Sequence, residues 1–134
     1  MKKEYSYGAV IYKKENNDFL FLIEHMTLGH NSLCKGHIEK GETEIECALR
    51  EIKEETNLNV ILDTNFRYTI TYSPQVNIIK DVTFFIATIN KENIITQKEE
   101  VLSTSWLDFD NAIKELTFDT DKEVLKAAYN YLNK

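Results

Sequence analysis

The chain has 134 residues, of which 43% are hydrophobic and 28% are charged, and its formal net charge is −6 at pH 7. This length suits one domain with its own hydrophobic core, so we predict a single domain over residues 1–134. The sequence has no run of about 18 apolar residues, so no membrane partner is expected. Because binding to duplex nucleic acid requires a basic surface, the acidic balance argues against a duplex partner.

The N-terminal segment and the cysteines indicate a cytoplasmic protein. Met1–Lys3 is basic, but Glu4–Tyr7 follows it instead of the long apolar segment of a signal peptide. Cys34 and Cys47 are too few for a disulfide framework, which favours a reducing compartment. No histidine or acid forms a recognisable activating motif with Cys34, so we predict that this residue packs in the core rather than acting as a nucleophile.

Two strands are predicted in the first part of the chain. Residues 4–13 are rich in β-branched and aromatic side chains, and Ser6–Tyr12 is predicted to be a buried strand. The turn-forming residues Asn16–Asp18 separate it from a second strand, Asp18–Glu24. His25–Leu33 is predicted to be a loop, and its histidines do not have the spacing of metal ligands.

The central segment combines a glycine-containing loop with an acidic helix. Lys35–Glu42 is predicted to be a charged loop whose glycines allow tight turns. Thr43 and Glu46 have the spacing of a capping box, so the helix is predicted to begin at Thr43 or Glu44. Asn57 tolerates the left-handed conformation and marks the end of the helix.

One side of this helix carries three carboxylates. Successive side chains turn by about 100°, which places Glu51, Glu54 and Glu55 on one arc. Like charges at these spacings destabilise an isolated helix, so a bound hard cation such as Mg²⁺ explains the cluster better than a solvated face does. Arg50 is expected to pair with Glu54 and to orient it. The face expected to pack on the core consists of Ile45, Ala48, Leu49, Ile52 and Thr56.

After the helix, the chain is predicted to form three more strands and two helices. Val60–Thr71 and Lys80–Thr88 are predicted strands, the second of them central because it is nearly all apolar. A turn is predicted at Tyr72–Gln75, and a later short strand ends in a buried Trp106. This order of elements indicates an α/β sandwich with a mixed sheet between helices. The two C-terminal helices are predicted over Asp108–Leu116 and Asp121–Leu132.

The central segment contains the pattern Gly36-x5-Glu42-x7-Arg50-Glu51-Ile52-x-Glu54-Glu55-x-Asn57-Leu58, which resembles the Nudix box. Every defined position of that box matches except its last glycine, which is Asn57 here. The departure lies at the helix end and does not touch a ligand. The chain is therefore similar to the Nudix (MutT-like) hydrolases, and the resemblance implies a Nudix-type α/β/α sandwich with a mixed β-sheet.

The resemblance also implies a hydrolase that uses Mg²⁺ or Mn²⁺ and acts on small nucleotide substrates by attack of a metal-activated water on phosphorus. By position in the box, Glu51, Glu54 and Glu55 would be metal ligands and catalytic residues. Arg50 would orient these glutamates, and the backbone carbonyl of Gly36 would bind a metal.

A fourth glutamate is implied outside the box. Members of the family carry a glutamate in a loop that faces the metals, shortly before a strand tryptophan, and Glu100 matches this place relative to Trp106. The role would be that of a metal ligand or of a general base for the attacking water. The neighbouring Glu99 is the alternative for the same role.

Five residues resemble substrate-binding positions of the asymmetrical diadenosine tetraphosphate hydrolases, a branch of this family. Lys35 and His37 flank the first glycine of the box, and Lys80 leads a strand as a phosphate-binding lysine does in that branch. Tyr72 and Phe118 match aromatic positions that contact adenine, with packing in the sheet or the core as the alternative for each.

The resemblance thus implies an asymmetrical bis(5′-nucleosyl)-tetraphosphatase, which splits diadenosine tetraphosphate into ATP and AMP. The alternatives are a pyrophosphatase of modified nucleoside triphosphates, an RNA 5′-pyrophosphohydrolase, and a sensor that binds nucleotides without hydrolysing them. Sensors of this fold typically lose box glutamates, whereas this chain retains all three, so an enzyme is predicted. It is expected to act as a monomer or a homodimer.

Overall fold

The computed structural model describes residues 1–91, 94–95 and 99–134. Seven strands and three helices are formed by the described residues. In chain order they are β1 (Lys2–Glu15), β2 (Asp18–Met26), β3 (Asn31–Ser32), β4 (Cys34–His37), α1 (Glu44–Thr56), β5 (Asn59–Gln75), β6 (Ile78–Lys91), β7 (Val101–Leu107), α2 (Phe109–Glu115) and α3 (Asp119–Leu132).

The strands form one mixed sheet in the order β3-β2-β1-β6-β5, while β4 pairs with β1 and β7 pairs with β2. Strands β1 and β6 are parallel over a long register that runs from Lys2 opposite Ile78 to Tyr12 opposite Thr88. The other pairs are antiparallel. Strand β6 therefore lies between β1 and β5, as its apolar sequence predicts, and β5 is an edge of the sheet.

The two faces of the sheet are covered by different helices. Side chains alternate between the faces of a strand, and in β1 this alternation separates Val10 from its neighbours Ala9 and Ile11. Val10 belongs to a buried cluster that includes Leu125 of α3, whereas Ala9 and Ile11 belong to a second cluster that includes Ile52 of α1. The predicted α/β/α sandwich with a mixed sheet is confirmed.

The predicted loops on either side of residue 33 were partly wrong. Strand β2 continues to Met26, and the short strands β3 and β4 lie where loops were expected. Strand β4 exists because it pairs with β1, with Ala9 opposite Cys34. Gly8 permits this approach, since a Cβ atom there would collide with the backbone oxygen of Cys34. Such pairing between distant segments leaves no local pattern in a strand this short.

The turn predicted at Tyr72–Gln75 was also wrong, because β5 continues through Pro74 to Gln75. The ladder between β5 and β6 shifts register between Tyr72 and Gln75, and Pro74 lies in that irregularity. Proline is tolerated at an edge strand or a bulge because no ladder hydrogen bond has to be donated there. The actual turn follows it, with Asn77 at a φ of 67°.

Helix α1 packs with a face rotated from the predicted one. Ile45 and Leu49 are 45% and 38% exposed, which contradicts their predicted place in the core. Cys47 and Glu55 are buried in their stead, beside the correctly predicted residues Ala48, Ile52 and Thr56. The apolar stripe alone cannot reveal that a carboxylate of this helix points into the sheet.

The C-terminal elements differ from the prediction only in detail. Helix α3 begins at Asp119, two residues before the predicted start, and Trp106 is half-buried rather than buried. Asp108 caps α2 by accepting the backbone N–H of Asn111 at 2.9 Å. No helix among the described residues is long and apolar enough to cross a membrane.

Candidate active site

The helix α1 is fixed at both ends by the residues that the sequence indicated. The Thr43 hydroxyl accepts the backbone N–H of Glu46 at 3.1 Å, and the Glu46 carboxylate accepts the N–H of Thr43 at 2.8 Å. Asn57 ends the helix with a φ of 63°, and its N–H donates to the Lys53 carbonyl at 2.9 Å. These two caps define the ends of the helix that carries the box glutamates.

Arg50 is the centre of the hydrogen bonds around the acidic face. Its Nε donates to Glu42 at 2.6 Å, and its Nη1 donates to Glu51 at 3.0 Å and to Glu54 at 3.2 Å. A further bond from Nη2 reaches the backbone carbonyl of His37 at 2.9 Å. Arg50 therefore contacts Glu54 as predicted, but it also binds the preceding loop to the helix.

Arg50 makes two hydrogen bonds with Glu42, at 2.6 and 3.0 Å, and the first is the shortest of this group. They raise the pKa of Arg50 above its ordinary value and lower that of Glu42. Glu42 is a defined position of the Nudix box to which the sequence gave no role. The structure shows that it holds the guanidinium in place, and charge-assisted hydrogen bonds of this kind fix geometry well.

Gly36 is required by the carboxylate that faces it. A Cβ atom at Gly36 would overlap the carboxylate of Glu51, so only glycine leaves room for that side chain in its observed orientation. The carbonyl oxygen of Gly36 accepts the thiol of Cys47 at 3.5 Å. The glycine of the box thus makes space for a glutamate of the box.

An open cavity of about 380 Å³ lies over this part of the molecule. It brings together most of the residues that the sequence indicated, with acidic and basic side chains in the same space. Its lining consists of Lys35, Gly36, His37, Glu39, Arg50, Glu51, Glu54, Lys80 and Glu100. Residues far apart in the chain therefore meet at one site.

Negative charge is crowded at the acidic side of the cavity. Burial, followed by the charge of Glu55, raises the pKa of Glu51 to about 7, although Arg50 opposes the shift. Glu100 belongs to a turn whose backbone accepts hydrogen bonds from Thr27, at 2.9 Å to the Glu100 carbonyl and 3.0 Å to the Glu99 carbonyl. Of the two glutamates in this turn, Glu100 lines the cavity.

Basic side chains form the other side of the cavity. The Nζ of Lys80 lies 3.4 Å from Nε2 of His37. Burial lowers the pKa of both groups, and the charge of Lys80 adds to the effect on His37 while that of Lys35 adds to the effect on Lys80. Two lysines and an imidazole in one cavity are suited to an anionic ligand with several oxygens, such as a polyphosphate.

A second cavity, of about 420 Å³, shares Lys35 with the first. Its lining is mostly apolar, and it includes Tyr72 on β5 and Phe118 at the N-cap of α3. The Phe118 ring lies 5.6 Å from that of His30 between centroids and is half exposed. Asp121, which is 3% exposed, also lines this cavity. The sequence indicated neither His30 nor Asp121 for this site.

Glu55 occupies a different place from the other box glutamates. It is 2% exposed, and its carboxylate accepts the thiol of Cys34 at 3.4 Å. Glu24 of β2 lies beside it, and burial together with Glu24 raises the pKa of Glu55. The alternation of β2 offered a signal for Glu24, because Glu24 must share a face with Leu22, which packs toward α1.

The residues of the open cavity fit a divalent cation with oxygen ligands. Glu51 and Glu54 extend from one helix, and Glu100 lines the same cavity from a turn, so three carboxyl groups share one space. Gly36 leaves the space that keeps the Glu51 carboxylate in this cluster. Hard ions such as Mg²⁺ favour carboxylate oxygens.

The NUDIX domain model matches residues 2–128. The chain therefore belongs to the Nudix family, and it is a hydrolase that acts on acid anhydrides of phosphorus. The Cys34 and Cys47 thiols are both free and buried, and for Cys34 this agrees with the predicted packing in the core.

Within the family, the chain is similar to asymmetrical bis(5′-nucleosyl)-tetraphosphatases. It is 29% identical to the rat enzyme over 129 residues, which cover 92% of this chain and 87% of that protein. It is 30% identical to the Caenorhabditis elegans enzyme over 112 residues, which cover 80% of each chain.

Solved structures agree with this grouping. The C. elegans Ap4A hydrolase in a binary complex has a TM-score of 0.89 and 25% identity, and the match covers 97% of this chain and 98% of that one. The Nudix domain of Shewanella oneidensis NrtR, solved with ADP ribose, has a TM-score of 0.79 at 14% identity and covers 98% and 90% of the two chains. That second match shows the shared fold alone.

Proposed function

We propose that this hydrolase cleaves dinucleoside polyphosphates, with diadenosine tetraphosphate as the first substrate to test. Water attacks phosphorus, an anhydride bond breaks, and the products are ATP and AMP. Mg²⁺, or Mn²⁺ in its place, is the proposed cofactor. The names of the rat and C. elegans relatives support this choice of substrate.

The observation that carries the proposal is that Lys35 lines both cavities. The acidic and basic cavity suits a polyphosphate, and the aromatic cavity next to it suits a base. A substrate with a base at the end of a long phosphate chain fits this arrangement. Stacking of a base on an aromatic ring is worth about 1–3 kcal/mol, and Tyr72 and Phe118 are the proposed rings.

A divalent cation would be held by Glu51, Glu54 and the carbonyl of Gly36, with Glu55 as a further ligand. When bound, such an ion neutralises phosphate oxygens and makes a nearby water more acidic. Glu54 is the most exposed of the box glutamates, with 46% of its side chain accessible. It is therefore the one best placed to exchange a solvent contact for a cation.

The remaining residues of the cavity have proposed roles in binding and proton transfer. Lys35, His37 and Lys80 would bind phosphate oxygens, and Arg50 would keep Glu51 and Glu54 oriented. Glu100 is proposed as a ligand or as the base that takes a proton from the attacking water. We prefer it to Glu99 because it lines the cavity.

A product assay over a substrate panel tests the proposal. The panel contains diadenosine tetraphosphate, oxidised and ordinary dGTP, ADP-ribose and a triphosphorylated RNA, each with Mg²⁺. We expect ATP and AMP from the first substrate. Release of pyrophosphate from the triphosphates or the RNA, with the dinucleotide intact, would contradict the proposed dinucleotide specificity but agree with hydrolase activity. Tight binding without turnover of any substrate would contradict the assignment of the protein as an enzyme.

The blank for this panel is Glu54→Gln, which we expect to lower turnover by at least about 100-fold without unfolding the chain, because it removes a ligand from an exposed position. The matched control is Glu46→Gln on the same helix, since glutamine preserves a capping box. Turnover by Glu54→Gln close to that of the wild type would refute the metal assignment.

The single domain, the cytoplasmic location and the monomeric or homodimeric state stay predictions.

A further inference from the structure

Three buried side chains from three different elements meet beneath the open cavity. Glu24 of β2, Cys34 of β4 and Glu55 of α1 each offer one atom able to bind a metal, and these atoms lie within 4.8 Å of one another. All three residues are at most 2% exposed. The group therefore differs from the carboxylates of the cavity, which face solvent.

This cluster has a polar atom without a partner. Glu24 Oε2 is buried and has no hydrogen-bond partner among the described residues. A buried acceptor left in this state costs roughly 1–3 kcal/mol, so it calls for a ligand. A cation at the centre of the cluster would give this oxygen a partner.

We propose that Glu24, Cys34 and Glu55 form a binding site for a divalent transition-metal ion of the Zn²⁺ or Co²⁺ class. The thiol decides the class of ion, because sulfur ligands select transition metals whereas Mg²⁺ prefers oxygen. The site adjoins the one formed by Glu51, Glu54 and Glu100 at the open cavity and shares Glu55 with it, since a carboxylate has two oxygens that can each bind an ion. It goes beyond the proposed hydrolysis, since it requires no substrate.

The observed spacing matches the edge of a tetrahedral metal site. Zinc binds sulfur at about 2.3 Å and carboxylate oxygen at about 2.0 Å, so in a tetrahedron these two ligands are about 3.5 Å apart. The Cys34 Sγ and Glu55 Oε1 are 3.4 Å apart. An ion could thus be bound between them with little movement of either side chain.

Access and proton balance are both consistent with the site. Cys34 precedes Lys35 on β4 and Glu55 follows Glu54 on α1, and both Lys35 and Glu54 line the open cavity, so the cluster lies close to that cavity. An entering ion forms one metal–sulfur and two metal–oxygen bonds, and the thiol proton of Cys34 leaves to solvent together with any proton held by the carboxyl groups of Glu24 and Glu55. Three protein ligands leave the fourth tetrahedral position to water.

The test is titration of the metal-free protein with Co²⁺, followed by absorption spectroscopy. Coordination of Co²⁺ by a thiolate gives an intense near-ultraviolet charge-transfer band, which oxygen ligands do not give. We expect this band in the wild type, its loss in Cys34→Ser and its retention in Cys47→Ser. Cys47 is the matched control because it is the other cysteine of the chain and is also buried. Zn²⁺ should abolish the band by displacement, and excess Mg²⁺ should not.

A second variant keeps the thiol and removes one oxygen ligand. Glu24→Gln should retain the band but require roughly tenfold or more Co²⁺ for half saturation. Circular dichroism checks the folding of each variant, and Glu24→Gln decides the question if Cys34→Ser does not fold. A wild type without the band, a band that persists in folded Cys34→Ser, or unchanged affinity in Glu24→Gln would overturn the proposal. Because no substrate is present, failure here is distinct from failure of the hydrolysis assay.

Discussion

Two glycines of the molecule show how the same missing side chain serves different ends. A Cβ atom at Gly8 would meet the backbone of β4, whereas a Cβ atom at Gly36 would meet the carboxylate of Glu51. A backbone cannot move away without breaking the pairing of β1 and β4, but a side chain can rotate. The first glycine thus protects the fold, and the second protects the position of a functional group.

This contrast predicts opposite effects of alanine at the two positions. Gly36→Ala should lower turnover by at least about tenfold and leave the free energy of unfolding within about 1 kcal/mol, because Glu51 must turn aside. Gly8→Ala should lower the free energy of unfolding by about 1–3 kcal/mol, because overpacking forces a backbone shift. Urea denaturation and a turnover assay measure the two quantities. A Gly36→Ala protein with full activity would show that Glu51 does not depend on this space.

Asp121 gives a prediction about pH. Burial raises its pKa above 3.8, against the opposing effects of Lys35 and of the Leu33 backbone N–H. The folded state therefore holds the proton more tightly than the unfolded state does. Below pH 3.8 both states are protonated, and above it the unfolded chain ionises first, so this group makes folding less favourable as the pH rises.

We therefore expect Asp121→Asn to be more stable than the wild type at about pH 7, by up to about 1 kcal/mol, with the difference shrinking as the pH falls toward 3.8. Urea denaturation at the two pH values measures this. Asp119→Asn is the control, since Asp119 is an exposed residue on the same helix. A stability difference independent of pH would mean that the Asp121 carboxylate is not penalised by burial.

At the scale of elements, Asn57 explains why the helix tolerates a departure from the box. Its φ of 63° is one that glycine adopts freely and that asparagine adopts more readily than other residues with a side chain. We expect Asn57→Ala to lower the free energy of unfolding by about 1 kcal/mol and Asn57→Gly to leave it equal or higher. Thermal unfolding of the wild type and of both variants measures this order of stability. Loss of turnover in Asn57→Gly, despite intact folding, would contradict a role limited to the helix end.

The elements also show what the sequence can predict. The capping box and the end of α1 were predicted correctly because hydrogen bonds between near neighbours decide them. The packing face of α1 was only partly predicted, since Leu49 is exposed and Glu55 is buried. An acidic side chain becomes a good core residue only through partners on other strands, and these partners are Glu24 and Cys34.

Strand β5 shows the same limit in the sheet. Pro74 indicated a turn, but the strand continues because it lies at an edge with irregular pairing. Edge position is a property of the whole topology and is absent from the local sequence. The central position of strand β6 was easier to predict, because a run of apolar residues indicates burial on both faces.

At the scale of the whole molecule, the two adjoining cavities combine residues from most of the chain. Lys35, Tyr72 and Phe118 come from β4, β5 and the start of α3, and they line one cavity. Spacing along the chain could not predict this meeting, and the resemblance to a known branch of the family supplied the expectation. Roles for these residues stay predictions that substrate kinetics can test.

Phe118 allows the most direct test at this scale. If its half-exposed ring stacks on a base, Phe118→Ala should raise KM for diadenosine tetraphosphate roughly tenfold and change kcat little. Val76→Ala, which also removes an exposed apolar side chain, is the control. Steady-state kinetics with both variants measures the difference. An unchanged KM in Phe118→Ala would assign this ring to packing alone.

The burial of both cysteines has a practical consequence for labelling the protein. Thiolates are the form that reacts with maleimides, and burial raises the pKa of Cys34 as well as that of Cys47, the latter to about 11. The native thiols are therefore shielded from such reagents while the protein is folded. One new cysteine on the surface, for example at the 90% exposed Leu28, would carry a fluorophore at a single place in an otherwise unaltered chain.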